Sequence, residues 1–537
     1  MNTRKTEKTT NSRLFNKGIL PVAVATAMFG AGAASAFSIT TDATIDNQTG
    51  GNSTTNYLVH DNVTLSTNSS MSVYYGTLNG VQTNGNTAGA GMVVVGGNLT
   101  VHGNVGGSVG LGNFTISEWN SLTLASNVST FNSDNMTLSD NTVLNFGNVT
   151  SGYNRGSSET LTFASNITMG SNSTINVGNG TTLNGNIYGT SNGAGTLNVL
   201  GNFTSTGSIG AAQVDGADFI TSGLEQINIS KGNTFTLNNN ATATRMNING
   251  TVTVAGNITA AVTMGADGIL NLNNESGDDN AAKVVGAIQS YVAGTAQGTL
   301  NINGTFTTQG AIGQGGKGLA AINLSNSTWA NGFTTTFAHN VNATTIQIGT
   351  ATTQNNATLQ ITAGGTSAGV NIAVTGNIIG GGNATSIDNA AGGIFLVSGN
   401  ATVNGSIGTS DNILAAIQIE DGTTLTISGA DRNIYANNIT MKANNNLLAD
   451  NATLAFNGTG TTTVNGVIAG TVGGGEGLID INTGTVSFKN TVGSASNYIG
   501  GIDVADGSTM TTSSNIYANS TIKVRGTLNI DATTGIT

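Results

Sequence analysis

Gly201–Gly210 reads GNFTSTGSIG, and four other stretches repeat its outline. Gly97–Gly106 is GNLTVHGNVG, Gly304–Gly313 is GTFTTQGAIG, Gly399–Gly408 is GNATVNGSIG and Gly484–Gly493 is GTVSFKNTVG. Each opens on Gly and Asn or Thr, passes an apolar or small residue and then Thr or Ser, and closes on Ile or Val before Gly. The closing glycines at 106, 210, 313, 408 and 493 are separated by 104, 103, 95 and 85 residues. Self-similarity on this scale belongs to chains that stack copies of one unit, each burying its apolar face on the next.

Between the motifs the polarity alternates in short bursts. Gln226–Ser230 (QINIS), Thr251–Val254 (TVTV), Thr299–Ile302 (TLNI) and Ala416–Ile419 (AIQI) put apolar residues at i and i+2, the period of a strand with one buried face. Only Ala281–Val292 approaches a helical period. The repeat extends past the ten-residue motif. Ile417–Met441 and Ile502–Val524 share an Ile-x-Ile/Val strand, an acidic-Gly turn, a Thr-rich strand and an Asn-Ile-Tyr-Ala-Asn run.

Composition agrees with an all-β stack. The 537 residues include 78 Gly, one Pro and no Cys, and 8% are charged against 37% hydrophobic. Thr favours strands, while Asn and Gly tolerate left-handed turns. Low charge combined with this apolar content is unlike disorder. The expected fold is an elongated parallel β-helix (β-solenoid) with superrepeats of 85–104 residues. At about 20 residues per coil and about 4.8 Å per level, the residues after 36 would make roughly 25 coils and a rod of about 120 Å. Insertions at the corners would account for the unequal spacings. A string of separate β-sandwiches, one per superrepeat, is the competing architecture. The absence of linker prolines and the 5% aromatic content stand against it.

Residues 1–36 have the pattern of a signal peptide. Arg4, Lys5, Lys8, Arg13 and Lys17 precede an apolar run from Ile19 to Phe29, and Ala34-Ser35-Ala36 makes an A-x-A cleavage site. The apolar run is shorter than the roughly 20 residues a spanning helix needs. Removing five basic residues and Glu7 moves the net charge from −11 to −15. With so few dispersed cations, nucleic acid is excluded as a partner class. Residues 37–90 lack the motif and are expected to cap the solenoid, with residues 91–537 forming its repetitive body. Thr527–Ile530 begins another strand of the same style, so the repeats are expected to continue beyond this chain.

An export signal followed by cysteine-free, Gly/Asn/Thr-rich β repeats resembles the passenger region of bacterial autotransporters. The closures Gly207-Ser208-Ile209-Gly210 and Gly405-Ser406-Ile407-Gly408 are similar to those of the rickettsial outer-membrane protein B and surface cell antigen family. The resemblance implies a β-helical passenger secreted across the inner membrane and displayed at the cell surface. There it would act as an adhesin on a host-cell protein or glycan, or self-associate as a surface-layer component. It implies contact with the outer membrane only through a C-terminal barrel not present in this chain.

Chemistry-bearing residues are sparse, and no catalytic, cofactor or metal residue is assigned. The histidines, His60, His102 and His339, sit in no motif. His102 occupies a motif position held elsewhere by Thr206, Gln309, Asn404 and Lys489, which marks a solvated strand residue. Glu275, Asp278 and Asp279 form the densest acidic cluster but lack calcium-loop spacing, so they read as a turn. Glu420-Asp421-Gly422 and Asp506-Gly507 also read as turns, and Gly380–Gly382 and Gly473–Gly475 as corners without a phosphate-loop ending. Trp119 and Trp329 read as packed in the core or on the rod's face. The expectation is a non-enzymatic surface protein acting through multivalent contact. The alternatives are a β-helical polysaccharide lyase or hydrolase and a purely self-assembling layer protein.

Overall fold

In the computed structural model the described residues are 36–45, 56–67, 73–81, 89–107, 109–146, 160–210, 222–273, 282–325, 332–350, 357–362, 370–381, 392–442, 451–471, 475–531 and 535–537. Among them there is no helix, and the strands pair in parallel. Residues 282–290, nearest to a helical pattern in sequence, form strands Ala282–Val285 and Ile288–Ser290. The fold is the expected parallel β-helix.

The coil has three faces. The first begins with Leu99–Val101, Ser121–Leu124, Val143–Phe146 and Thr174–Val177, stacked in register. The second includes Thr181–Leu183, Phe203–Ser205, Thr234–Leu237 and Thr251–Val254. The third includes Thr64–Thr67, Met92–Val95 and Leu111–Ile116. Alternation along each strand turns one set of side chains inward: Ile227 and Ile229 are buried while Asn228 between them is half-exposed. The interior is one continuous apolar column from Ile39 to Ile516. Aromatic rings stack within it, Phe131 on Phe163 at 4.3 Å and Phe203 on Phe235 at 5.2 Å.

Register partners followed up the second face, from Phe37 to Ile530, pass through 21 levels. Twenty steps of about 4.8 Å give a rod on the order of 100 Å. The coil therefore averages about 25 residues, longer than the expected 20, and there are fewer coils than the estimate of 25. Three faces each need their own corner, and the corners consume the difference. Strands Ala36–Ile39, Asn56–His60 and Leu78–Val81, within the stretch expected to cap the rod, continue the second face in register with Val105.

Asparagine closes many corners. Asn98, Asn202 and Asn400, each the second residue of a motif copy, accept the backbone N–H of Ser121, Thr234 and Thr424 one level on. An uncharged corner side chain thereby satisfies a backbone donor that the bend removes from the ladder. The acidic-Gly pairs do act as turns: Gly422 and Gly507 have φ of 65° and 75°.

The closing pair of each motif is a bridge. Val105, Ile209, Ile312, Ile407 and Val492 each bridge one residue below and one above. These bridges lie on the second, third, first, second and third faces in turn. One superrepeat is thus a whole number of turns plus a third: four and a third for the first two intervals, three and a third for the last two. The fall in spacing from 104 and 103 to 95 and 85 residues is therefore mainly the loss of one coil. Longer connections offset part of that loss, by about 15 residues in the third interval and about 5 in the fourth. Above the first four copies, the overlying strand bulges between Asn132 and Asn135, Thr242 and Arg245, Asn342 and Thr345, and Tyr435 and Asn438. A bulge bends a strand, and each of these strands turns from one face to the next.

Candidate binding surface

The residues nominated by chemistry are scattered. His60 meets Ser38 Oγ at 2.6 Å, His102 stacks on Tyr75 at 4.4 Å, and His339 is exposed on a distant coil. Thr206, Gln309, Asn404 and Lys489, which match His102 in the other motif copies, are exposed. Among the described residues no group of three or more His, Asp or Glu is placed to hold a metal ion. Glu275, Asp278, Asp279, Trp329, Gly382, Gly473 and Gly474 lie outside the described residues. Trp119 is not a core residue: it stands 73% exposed at a corner with φ of 66°. A left-handed turn apex aims its side chain away from the coil, and nothing in the period-two pattern marks that position.

What the fold does assemble is a set of outward ladders. The strands flanking each motif carry three register partners on one face, and the superrepeat places an equivalent trio on the next face. The trios are Val94–Thr115–Thr137, Asn198–Asn228–Asn247, Asn301–Asn323–Gln347, Leu396–Gln418–Thr440 and Asp480–Asp503–Lys523. They occupy the third, first, second, third and first faces. One scaffold position therefore carries hydroxyl, amide, mixed and charged chemistry in turn.

The second and third trios are built wholly of amides. On the first face Asn176 Nδ2 donates to Asn145 at 2.9 Å, Asn198 to Asn176 at 2.9 Å, Asn228 to Asn198 at 2.8 Å and Asn247 to Asn228 at 2.8 Å. On the second face Asn301 donates to Asn271 at 2.8 Å and Asn323 to Asn301 at 2.9 Å. Coils stacked at the strand spacing bring successive carboxamides within hydrogen-bond reach, as in other amide ladders. Beside these two trios the surface sinks. A hollow of about 490 Å³ is lined by Asn271, Asn273, Asn301, Asn303, Asn323, Ser325, Gln347, Gly349 and Thr350. Another of about 350 Å³ is lined by Asn228, Ile229, Ser230, Asn247, Asn249, Thr263, Gly265 and Tyr291. Neither lining contains a charged residue.

The fifth trio differs. Burial raises the Asp480 carboxyl above its ordinary value, and the neighbouring Asp503 raises it further. Asp503 is itself held by Arg525 at 3.0 Å and Lys523 at 3.5 Å. The arrangement is a partly neutralised acidic strip, with no third carboxylate and no histidine beside it among the register partners.

Sequence reasoning found the strands that carry these trios but not the trios, because their members lie 19 to 30 residues apart and meet only once the register is known. The fold and surface together define a class: a three-faced parallel β-helix with a sparsely charged exterior rich in amides and hydroxyls. Compared with known proteins, the chain matches no family model, no curated protein and no solved structure.

Proposed function

We propose that this chain is an exported bacterial cell-surface protein of the autotransporter-passenger type, acting as an adhesin or surface-layer component through its β-helical rod. The observation that carries the reading is the uninterrupted core from Ile39 to Ile516 beneath an exterior of Asn, Thr and Ser ladders. A rod holds binding residues away from the surface that bears it, and a polar exterior with a net negative charge disfavours association of so long a β-structure. The basic, apolar and A-x-A sequence of residues 1–36 supports secretion across the inner membrane, and a cysteine-free chain can be exported unfolded.

The polysaccharide-cleaving alternative draws less support. Hydrolysis of a glycosidic bond canonically uses two carboxyl groups facing one site, whereas neither hollow's lining contains a carboxylate. Protease shaving of intact source cells, followed by attachment of the purified full chain to host cells, tests the proposal. Shaving should release fragments of the 91–537 region, and the chain should bind host cells or form a lattice. A protease-protected chain that does neither would overturn it.

A further inference from the structure

We infer that the two amide-lined hollows are related binding sites for an uncharged glycan, one on the first face and one on the second. This inference rests on the adhesin reading and specifies its ligand class. The register relates them: Asn228 matches Asn323, Ser230 matches Ser325, and Asn247 matches Gln347 across one superrepeat. The two hollows share these positions; the second-face hollow reaches to lower coils through Asn271 and Asn301, and the first-face hollow to higher coils through Thr263 and Tyr291. They open on the first and second faces, about 120° apart, so a single chain is bivalent.

The lining selects the ligand. A carboxamide has two N–H donors and two lone pairs. At Asn301 the ladder uses one of each, and at Asn323 and Asn247 it uses a donor and leaves the oxygen free to accept. Vicinal sugar hydroxyls, which donate and accept at once, match such a row. Successive amides advance by about 4.8 Å, close to one pyranose of an extended chain. Tyr291 edges the first-face hollow and is 70% exposed, offering a ring on which the apolar side of a pyranose can stack. At the first-face corner Lys231 and Asp267 pair with each other at 2.7 Å, and neither lining itself contains a charged residue to meet sialic or sulfated sugars.

Other copies of the scaffold supply substitutions that the fold already accommodates. Asn301→Leu with Gln347→Thr installs the residues of the fourth copy, Leu396 and Thr440; Asn228→Thr with Asn247→Thr installs those of the first, Thr115 and Thr137. The experiment is calorimetric titration of the full chain with hexasaccharides of β-1,4-glucose, β-1,4-N-acetylglucosamine and α-1,6-mannose, with oligogalacturonate as the charged control. At least one neutral hexasaccharide should bind at two sites, with affinity unchanged between low and high salt. Each double variant should remove one site and leave the other, and the fourfold variant should bind at least tenfold more weakly. Tyr291→Ala, a change at an exposed ring, should weaken one site only.

No binding by any neutral hexasaccharide, tighter binding of the charged control, or full binding by the fourfold variant would overturn the inference. So would self-association that the same variants abolish, which would make the hollows contacts between copies. Host-cell attachment retained by the fourfold variant would end the glycan reading while leaving the surface-protein proposal standing.

Discussion

The backbone carbonyl of Tyr435 stands where a side chain at Gly408 would have to go. Gly408 has φ of 75°, its N–H donates to Ile378 O at 2.6 Å, and Tyr435 N–H donates to Ile407 O at 2.7 Å from the coil above. The other four closing glycines repeat this relationship with Asn132, Thr242, Asn342 and Tyr517. Two independent demands, a left-handed backbone and contact with the next coil, explain why the motif always ends in glycine.

Gly408→Ala should therefore destabilise the surrounding coils by more than about 2 kcal/mol, combining left-handed strain with a displaced carbonyl. Gly232→Ala is the control: its φ is 78° but no atom lies within 4 Å of the new Cβ, so only about 1 kcal/mol of strain is expected. Urea unfolding followed by hydrogen exchange across residues 405–436 distinguishes the two. Equal effects would show that inter-coil contact contributes nothing.

Phe163 is packed between Phe131 at 4.3 Å and Phe146 at 4.5 Å, joining two faces across the core. Phe163→Ala should cost about 3–5 kcal/mol and unprotect the amides of neighbouring levels first. A loss below about 1 kcal/mol would mean the core collapses freely around the gap.

The amide ladder makes a sharper demand. Asn176 donates to Asn145 and accepts from Asn198, both at 2.9 Å. Asn176→Asp keeps the shape but sets a carboxylate oxygen against the Asn145 oxygen, so about 1–2 kcal/mol should be lost at neutral pH. Acidification should restore much of it, because the protonated acid can donate. Urea midpoints of variant and wild type between pH 3 and 7 measure the recovery.

Asp480 sets a pH dependence of the same sign in the wild-type rod. Its carboxyl is raised by burial and by Asp503, so the folded state holds the proton more tightly than the unfolded chain. The associated stability is fully present below the unfolded-state value and is lost as pH rises through the folded one. Asp480→Asn should raise the urea midpoint at neutral pH and flatten its pH dependence. The effect should be modest, since the group is only half-buried and Lys523 and Arg525 lie beside Asp503. A lower midpoint for the variant at neutral pH would reverse the assignment.

Much of the architecture is legible in the sequence because it is local. Ile227 and Ile229 flanking Asn228 declare an inner and an outer face, and Asp506-Gly507 declares a turn. The closing glycines announce a recurrent backbone requirement even before φ is known. The third of a turn is not legible. Sequence counts residues, whereas rotation counts coils, and register partners are as close as 16 residues at Ile248 and Met264 and as far apart as 36 at Leu359 and Phe395. That hidden rotation also reshapes multivalency. Equivalent patches spiral around the rod, so the same face meets a flat surface with the same position only every third superrepeat.

The central claim is a continuous three-faced helix in which the motif advances by a third of a turn per superrepeat. Thr206 and Lys489 are equivalent, exposed motif positions separated by intervals of four and a third, three and a third, and three and a third turns. They should lie on one corner, eleven levels or about 53 Å apart. The chain has no cysteine, so Thr206→Cys with Lys489→Cys places two spin labels without further changes. The account predicts a narrow electron–electron distance distribution near 53 Å. A broad distribution, or one well beyond that distance as independent domains on a string would give, would contradict it.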